Sequence, residues 1–122
     1  MIQSRLLLTA ALVLVLAVAQ SAAAATFTVN DTRHLPAANP GAGDALTADG
    51  TITIRSALET AFELGGAHTL VLEVGATYSF DEISDAWYGP NALPTIRGDI
   101  TIEGNRATLQ PSSGDMRLVF VS

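Results

Sequence analysis

The chain has 122 residues, no cysteine and a net charge of −6, and 48% of its residues are hydrophobic against 15% that are charged. This length allows at most one modest domain. The mean hydropathy of +0.35 is too high for an average soluble domain. The apolar residues must therefore be concentrated in one part of the chain.

The amino terminus holds that apolar excess. Arg5 is the only charged residue before residue 31, and an uncharged apolar stretch follows it at residues 6–18. Residues 21–25 are small and offer several small-x-small cleavage frames. The apolar stretch is shorter than the ~20 residues that span a bilayer. We therefore predict a cleavable signal peptide at residues 1–25 and a mature chain that begins between Ala24 and Phe27; an uncleaved signal anchor is the alternative.

The predicted mature chain is acidic. Residues 26–122 contain five arginines, no lysine and all twelve acidic residues. Nucleic acids and anionic lipid surfaces bind proteins largely through cations, so this balance argues against both as partners. We expect no stable membrane span in the mature chain. An exported protein meets an oxidising compartment, yet without cysteine it has no disulfide, so its stability must come from packing.

Residues 26–66 are predicted to contain a strand, a loop and a helix. Residues 26–30 alternate polar and apolar side chains, as a half-buried strand does. Residues 34–50 are rich in Pro, Gly, Asn and Asp and predict a surface loop, in which Asp49-Gly50 closes a tight turn.

An amphipathic helix is predicted over residues 53–66. Its apolar residues fall at helical spacing and form one stripe: Ile54, Ala57, Leu58, Ala61 and Phe62. Thr53 or Ser56 can cap the amino end, with Ser56 and Glu59 spaced as a capping box, and Gly65 ends the helix.

The hydrophobic period changes to two after the helix. Alternating apolar residues predict strands at 69–74, 99–103 and 117–121, and shorter strand-like segments at 77–80 and 107–110 follow Gly75 and Gly104. Residues 81–94 have the composition of a loop insertion. Without that insertion the main strands recur at nearly equal spacing, which indicates an internal repeat.

This repeat favours a mainly β fold: a right-handed parallel β-helix with an N-terminal cap, one amphipathic helix and two to three coils. A βαβ sheet would need a helical crossover between each parallel pair. The inward ladders are predicted to be Leu70/Ile100/Leu118 and Leu72/Ile102/Phe120. A small β-sandwich of the same strands is the alternative.

Essentially the whole mature chain resembles the N-terminal region of secreted bacterial right-handed β-helix proteins of the CSLREA-domain type. Those proteins are related in fold to pectate lyases and to polymorphic outer-membrane and adhesin-like passengers. The residues that carry the resemblance are Asn39-Pro40-Gly41, Thr53-Ile54-Arg55-Ser56-Ala57-Leu58, Thr69-Leu70-Val71-Leu72, the segment 92–104, Ala107-Thr108-Leu109 and Met116-Arg117-Leu118-Val119-Phe120.

The resemblance implies a fold, export and a capping role for the helix, and it supplies no catalytic motif. In that family the loop before the helix usually carries a cysteine pair, and Ala45 and Ile52 stand in the corresponding places here. The resulting division is a signal peptide at 1–25, a strand, loop and capping helix at 26–66, and the first coils at 67–122 with an insertion at 81–94. Because solenoid ends need caps, we expect an incomplete C-terminal end that self-associates if the chain stops at Ser122.

The 81–94 segment contains the candidate site residues. Asp81, Glu82 and Asp85 could bind Ca²⁺ through carboxylate oxygens, although their spacing is not that of an EF-hand and loop acids are often simply solvated. Trp87 and Tyr88 could stack on sugar rings or pin the loop to the core. No nucleophile, phosphate-loop or zinc motif is present, so the catalytic residues are unknown and no cofactor beyond Ca²⁺ is predicted.

Two functions are compatible with these observations. The first is an exported, non-catalytic β-helix module that binds a polysaccharide or another surface macromolecule, in the extracellular space, at the cell surface or on the outer membrane. The alternative is the N-terminal part of a carbohydrate-active β-helix enzyme, a polysaccharide lyase or hydrolase, whose catalytic coils lie beyond residue 122. The sequence leaves open whether the protein is an enzyme.

Overall fold

The computed structural model describes residues 23–86, 88–112 and 115–122. Most of the predicted signal peptide, residues 1–22, lies outside them. The described chain forms five strands and one α-helix, together with a 3-10 turn at Pro40–Ala42. The elements in chain order are β1 (Ala25–Thr28), α1 (Ile54–Leu64), β2 (Ala67–Val71), β3 (Thr77–Phe80), β4 (Asp99–Glu103) and β5 (Thr108–Pro111).

The strands pair in two small parallel sheets. The first has the order β1-β2-β4 and the second consists of β3 and β5. In the first sheet Phe27 lies opposite Leu70, which lies opposite Ile102. Strands β2 and β3 are separated by a turn at Gly75, and β4 and β5 by a turn at Asn105. The amide of Gly75 donates a hydrogen bond to the carbonyl of Asn105, which ties the two turns together.

The prediction of a right-handed parallel β-helix is wrong. The described residues form a three-stranded and a two-stranded parallel sheet beside one helix, and neither sheet closes or continues as a solenoid. Residues 117–121, expected to supply a third coil, make only isolated bridges, Asn91 to Arg117 and Ile96 to Val121. The amide of Leu93 donates to the carbonyl of Leu118, so this segment pairs with residues 91–96 instead of stacking on β4.

The predicted ladders are also wrong, because strands β2 and β4 pair in a different register. Ile100 lies opposite His68, and Leu70 lies opposite Ile102, which shifts the expected register by two residues. Strand β2 begins at Ala67 and places His68, only 3% exposed, at an inward position. A search for alternating apolar residues overlooks this buried histidine at the start of the strand, so the sequence pattern aligns Ile100 with Leu70 and not with His68.

The prediction of an amphipathic helix is confirmed over Ile54–Leu64, but Phe62, expected in its apolar stripe, is 52% exposed. Helix α1 begins after Thr53, whose hydroxyl accepts a hydrogen bond from the amide of Ser56, while the Ser56 hydroxyl accepts one from the amide of Thr53. The capping box therefore joins Thr53 and Ser56, not Ser56 and Glu59. Gly65 ends the helix at a φ of 64°, a conformation that glycine adopts readily.

A single cluster of buried side chains packs between the helix and the sheets. Its largest fully buried members are Tyr78, Phe80, Ile54, Leu70 and Leu93. Leu93 falls in the segment predicted as a loop insertion, and it is fully buried.

The loop before α1 is held without a disulfide. Ala45 is fully buried and Ile52 packs against the core. The side chain of Asn30 accepts a hydrogen bond from the amide of Ile52. Gly50 closes the turn predicted at Asp49-Gly50, with its amide bonded to the carbonyl of Thr47. No helix in the described parts of the chain has the length and apolarity needed to cross a membrane.

Candidate functional site

A polar groove of about 520 Å³ opens where the loop after β1 passes the end of β3. Residues 32–35 form one side, and Thr77, Ser79, Asp81 and Glu82 form the other. We call it the His34 groove. Strand β3 alternates, so Tyr78 and Phe80 point into the core while Thr77 and Ser79 stay exposed. The strand thereby presents hydroxyl groups to the groove, and the two acids follow directly at its end.

His34 is the most unusual residue of the groove. It is only 8% exposed, and neither ring nitrogen has a hydrogen-bond partner within the described residues. Its ring meets that of Phe80 edge to face, with centroids 5.1 Å apart. Burial lowers the pKa of His34, and the nearby Arg55 lowers it further, against the opposing effect of Glu82 and Asp81. The neutral imidazole offers one hydrogen-bond donor and one acceptor.

Arg33 brings a positive charge to the groove, but acids already neutralise it. The carboxylate of Asp31 accepts hydrogen bonds from the Arg33 backbone and guanidinium, the shortest at 2.8 Å, and from the hydroxyl of Thr51 at 2.6 Å. These bonds hold the pKa of Asp31 well below its usual value, with the bond from Arg33 as the largest cause. Asp49 lies 3.1 Å from the same guanidinium. The groove therefore offers no uncompensated cation.

A second ion pair borders the groove. The Arg55 guanidinium contacts Glu82 at 2.9 Å and, one helical turn along α1, Glu59 at 3.7 Å. Glu82 remains more than half exposed and Asp81 is exposed beside it. Two carboxylates with free solvent-facing acceptors thus stand beside the hydroxyls of Thr77 and Ser79.

The structure separates the three acids that sequence reasoning grouped. Asp81 and Glu82 line the His34 groove, whereas the carboxylate of Asp85 accepts hydrogen bonds from the backbone and hydroxyl of Thr95. Asp85 lines a different cavity of about 310 Å³, beside Phe62. In the described part of the chain no group of three or more His, Asp or Glu side chains is arranged to hold a metal ion.

Of the two candidate aromatic residues the structure describes Tyr88, which is not among the residues that line the groove. Trp87 lies outside the described residues. Tyr88 is 70% exposed, and its ring lies 5.4 Å from that of Phe120. Its carbonyl accepts a hydrogen bond from Arg117. Tyr88 is therefore a surface residue attached to the C-terminal segment.

His34 is the site residue that sequence reasoning missed. It stands in a stretch of loop composition, where a histidine is expected to be solvated. Its burial results from the packing of this loop against Phe80, a contact between residues distant in sequence. No local pattern signals that contact.

Comparisons of this chain with protein-family models, with curated proteins and with solved structures found no match.

Proposed function

We propose that this chain is an exported, non-catalytic binding module whose His34 groove holds a neutral, hydroxyl-rich ligand such as part of an oligosaccharide. The observation that carries the proposal is the buried His34, whose two ring nitrogens have no hydrogen-bond partner among the described residues, in a groove lined by hydroxyls and carboxylates. A buried polar group without a partner is destabilising. Hydroxyl groups of a ligand can both donate hydrogen bonds to the imidazole and accept them from it, so binding would supply the hydrogen bonds that the His34 nitrogens lack.

The charges of the groove favour a neutral ligand. Arg33 is paired with Asp31 and Asp49, so it attracts anions weakly. The carboxylates of Asp81 and Glu82 accept hydrogen bonds and would repel an acidic sugar. Together with the net charge of −6, this argues for neutral over uronic-acid sugars. The groove volume lies within the ~300–1,000 Å³ typical of small-ligand sites.

Sequence features support the proposed location outside the cell. Residues 1–25 have the three regions of a secretory signal. The resemblance to secreted bacterial proteins points the same way.

Titration calorimetry with matched neutral and uronic-acid oligosaccharides tests the proposal. We expect saturable binding of a neutral sugar, weakened at least ~10-fold by His34→Phe, which keeps the ring and removes the polar nitrogens. Asp81→Asn should weaken the same binding, and Asp99→Asn, an exposed change on β4, is the matched control.

Three outcomes contradict the proposal. They are equal binding by wild type and His34→Phe, preference for the acidic sugars, and conversion of the sugar to products. The last outcome would favour the carbohydrate-active enzyme.

A further inference from the structure

The backbone nitrogen of Ala25, the first residue of β1, lies 3.0 Å from Nδ1 of His68. The other ring nitrogen, Nε2, lies 2.5 Å from the carbonyl oxygen of Gly65. Because a carbonyl only accepts hydrogen bonds, Nε2 carries the proton and Nδ1 is the acceptor. The buried imidazole of His68 is therefore held in one tautomer, and Ala25 satisfies its remaining acceptor.

The two residues before Ala25 differ from it in structure. Ala23 and Ala24 are exposed and belong to no strand. Ala25 is half-buried, packs against the core and pairs with His68 in the parallel register of β1 and β2. Within the described residues, regular secondary structure thus begins at Ala25.

We infer that the exported chain is cleaved between Ala24 and Ala25 and that His68 binds the α-ammonium group this creates. The inference rests on the export part of the proposed function. The endopeptidase is one of the signal-peptidase class, which requires small residues one and three positions before the cut. Ala22 and Ala24 meet that requirement, but so do the neighbouring frames that end at Ala23 and Ala25.

The contact with His68 distinguishes these frames. Cleavage after Ala25 removes the bonded nitrogen and leaves Nδ1 of a buried ring without a partner, which is destabilising. Cleavage after Ala23 leaves that nitrogen an uncharged amide. Only cleavage after Ala24 places a charged donor against Nδ1, and charge-assisted hydrogen bonds are the stronger kind.

The reaction is hydrolysis with water as co-reactant. The bond from the carbonyl carbon of Ala24 to the nitrogen of Ala25 breaks, Ala24 gains the oxygen of water and leaves as a carboxylate, and the nitrogen of Ala25 becomes an ammonium group. One of its protons is donated to Nδ1 of His68. Because Ala25 is only half-buried, the other two protons can be solvated.

The absence of lysine makes this ammonium group open to a direct test. The 122 residues include six arginines and no lysine, so in a protein of these residues cleaved before Ala25 the α-amino group is the single primary amine. The full chain is expressed in a bacterium with export machinery, and the intact mass of the exported product is measured. We expect a product that begins at Ala25.

The rate at which an acetyl N-hydroxysuccinimide ester acylates the α-amino group of Ala25 then measures how accessible and how nucleophilic that group is. In the folded wild type we expect acylation at least ~10-fold slower than in urea, because the held ammonium is a poor nucleophile. His68→Leu, which removes the acceptor, should bring the native rate to within about twofold of the rate in urea. His68→Asn keeps an acceptor near the position of Nδ1 and should stay slow. Thr69→Ala, next along β2, is the matched control.

The inference is overturned by an exported product that begins at any other residue, by an uncleaved chain, or by equal acylation rates in the native and urea-unfolded wild type. These wild-type measurements hold even if His68→Leu does not fold. A product that begins at Ala25 but binds no sugar overturns the groove assignment alone. Sugar binding by a chain that is not cleaved at Ala25 overturns this inference alone.

Discussion

The ring of His34 meets the ring of Phe80 edge to face, at an interplanar angle of 79°. Phe80 is 1% exposed, and Tyr78, two residues before it, is equally buried. Strand β3 therefore anchors the loop after β1 through the contact between the rings of Phe80 and His34. This contact packs the imidazole ring against Phe80, and the two ring nitrogens have no hydrogen-bond partner in the described part of the chain. His34 therefore combines a packing role with unused hydrogen-bonding capacity.

Replacing His34 by Phe should stabilise the ligand-free protein. The substitution keeps the ring contact with Phe80 and removes two buried unpartnered nitrogens, so we expect the free energy of unfolding to rise by about 1–2 kcal/mol. Urea unfolding followed by fluorescence measures it. His34→Ala, which also removes the ring contact, should destabilise the protein, and a loss of stability in His34→Phe would contradict the expectation.

The stability of the wild type should depend on pH through His34. Burial lowers the pKa of His34 in the folded protein below the value of 6.5 expected for the unfolded chain. Between the two pKa values the unfolded state binds more protons, so stability rises with pH there. We expect the contribution of His34 to be complete above pH 6.5 and to be lost as the pH falls through the folded pKa.

Urea unfolding at a series of pH values between 7 and 5 measures this dependence. His34→Phe should show a flatter profile over the same range. An identical slope in the two proteins would assign the dependence to other groups.

Asp31 should affect the stability of the folded protein in a separate and more acidic pH range. Its pKa is held well below 3.8 in the folded protein, chiefly by the hydrogen bond from the Arg33 side chain. A lowered carboxyl pKa gives stability that is present above the unfolded value and lost as the pH falls below it. Asp31→Asn should be less stable than wild type at pH 7, and the gap should narrow below pH 3.8. Asp99→Asn, an exposed change of the same chemical kind on β4, serves as the control.

The capping box of α1 should contribute measurably to stability. Thr53 is fully buried, and its hydroxyl also donates a 2.6 Å hydrogen bond to the carbonyl of Leu35. Thr53→Ala should lower the free energy of unfolding by about 1–2 kcal/mol, because it leaves the amide of Ser56 and that carbonyl without a partner. Thr53→Ser keeps the hydroxyl and should recover most of the loss. Equal loss in both variants would show that the methyl group, not the cap, matters.

Helix α1 could be predicted well from the sequence because its signals are local: an apolar stripe, a hydroxyl at each capping position and a glycine after the last turn. Strands β3 and β4 begin and end where alternation predicts them. Strand pairing is not local. Residues 117–121 have strand-like alternation, yet they form bridges to the segment 91–96, where Pro94 indicates a loop.

The candidate site could be predicted only in part. Asp81 and Glu82 lie in the groove because they follow directly on β3, a relation visible in the sequence. Asp85 is drawn to Thr95 by hydrogen bonds that depend on how the loop folds back. His34 depends on a tertiary contact with Phe80, so its role emerges only once the loop and strand are packed together.

Truncation of side chains in the first sheet tests the observed register. Leu70 is fully buried, so Leu70→Ala should lower the free energy of unfolding by about 2–5 kcal/mol. Ile102 lies opposite Leu70 on β4 but is 38% exposed, so Ile102→Ala should lower it by less than about 1.5 kcal/mol. Similar losses at the two positions would indicate that β4 is covered by further structure.

The parallel pairing of the strands also has a kinetic consequence. Ala25 must find His68, 43 residues away, and β3 must find β5 across a separation of 31 residues. Every strand pair therefore requires a long loop to close, and the entropy cost of closure comes before the hydrogen bonds between the strands can form. Folding should accordingly be slow compared with that of helical proteins of this size. Such a chain would remain extended for longer after synthesis, and the export proposed above requires that interval.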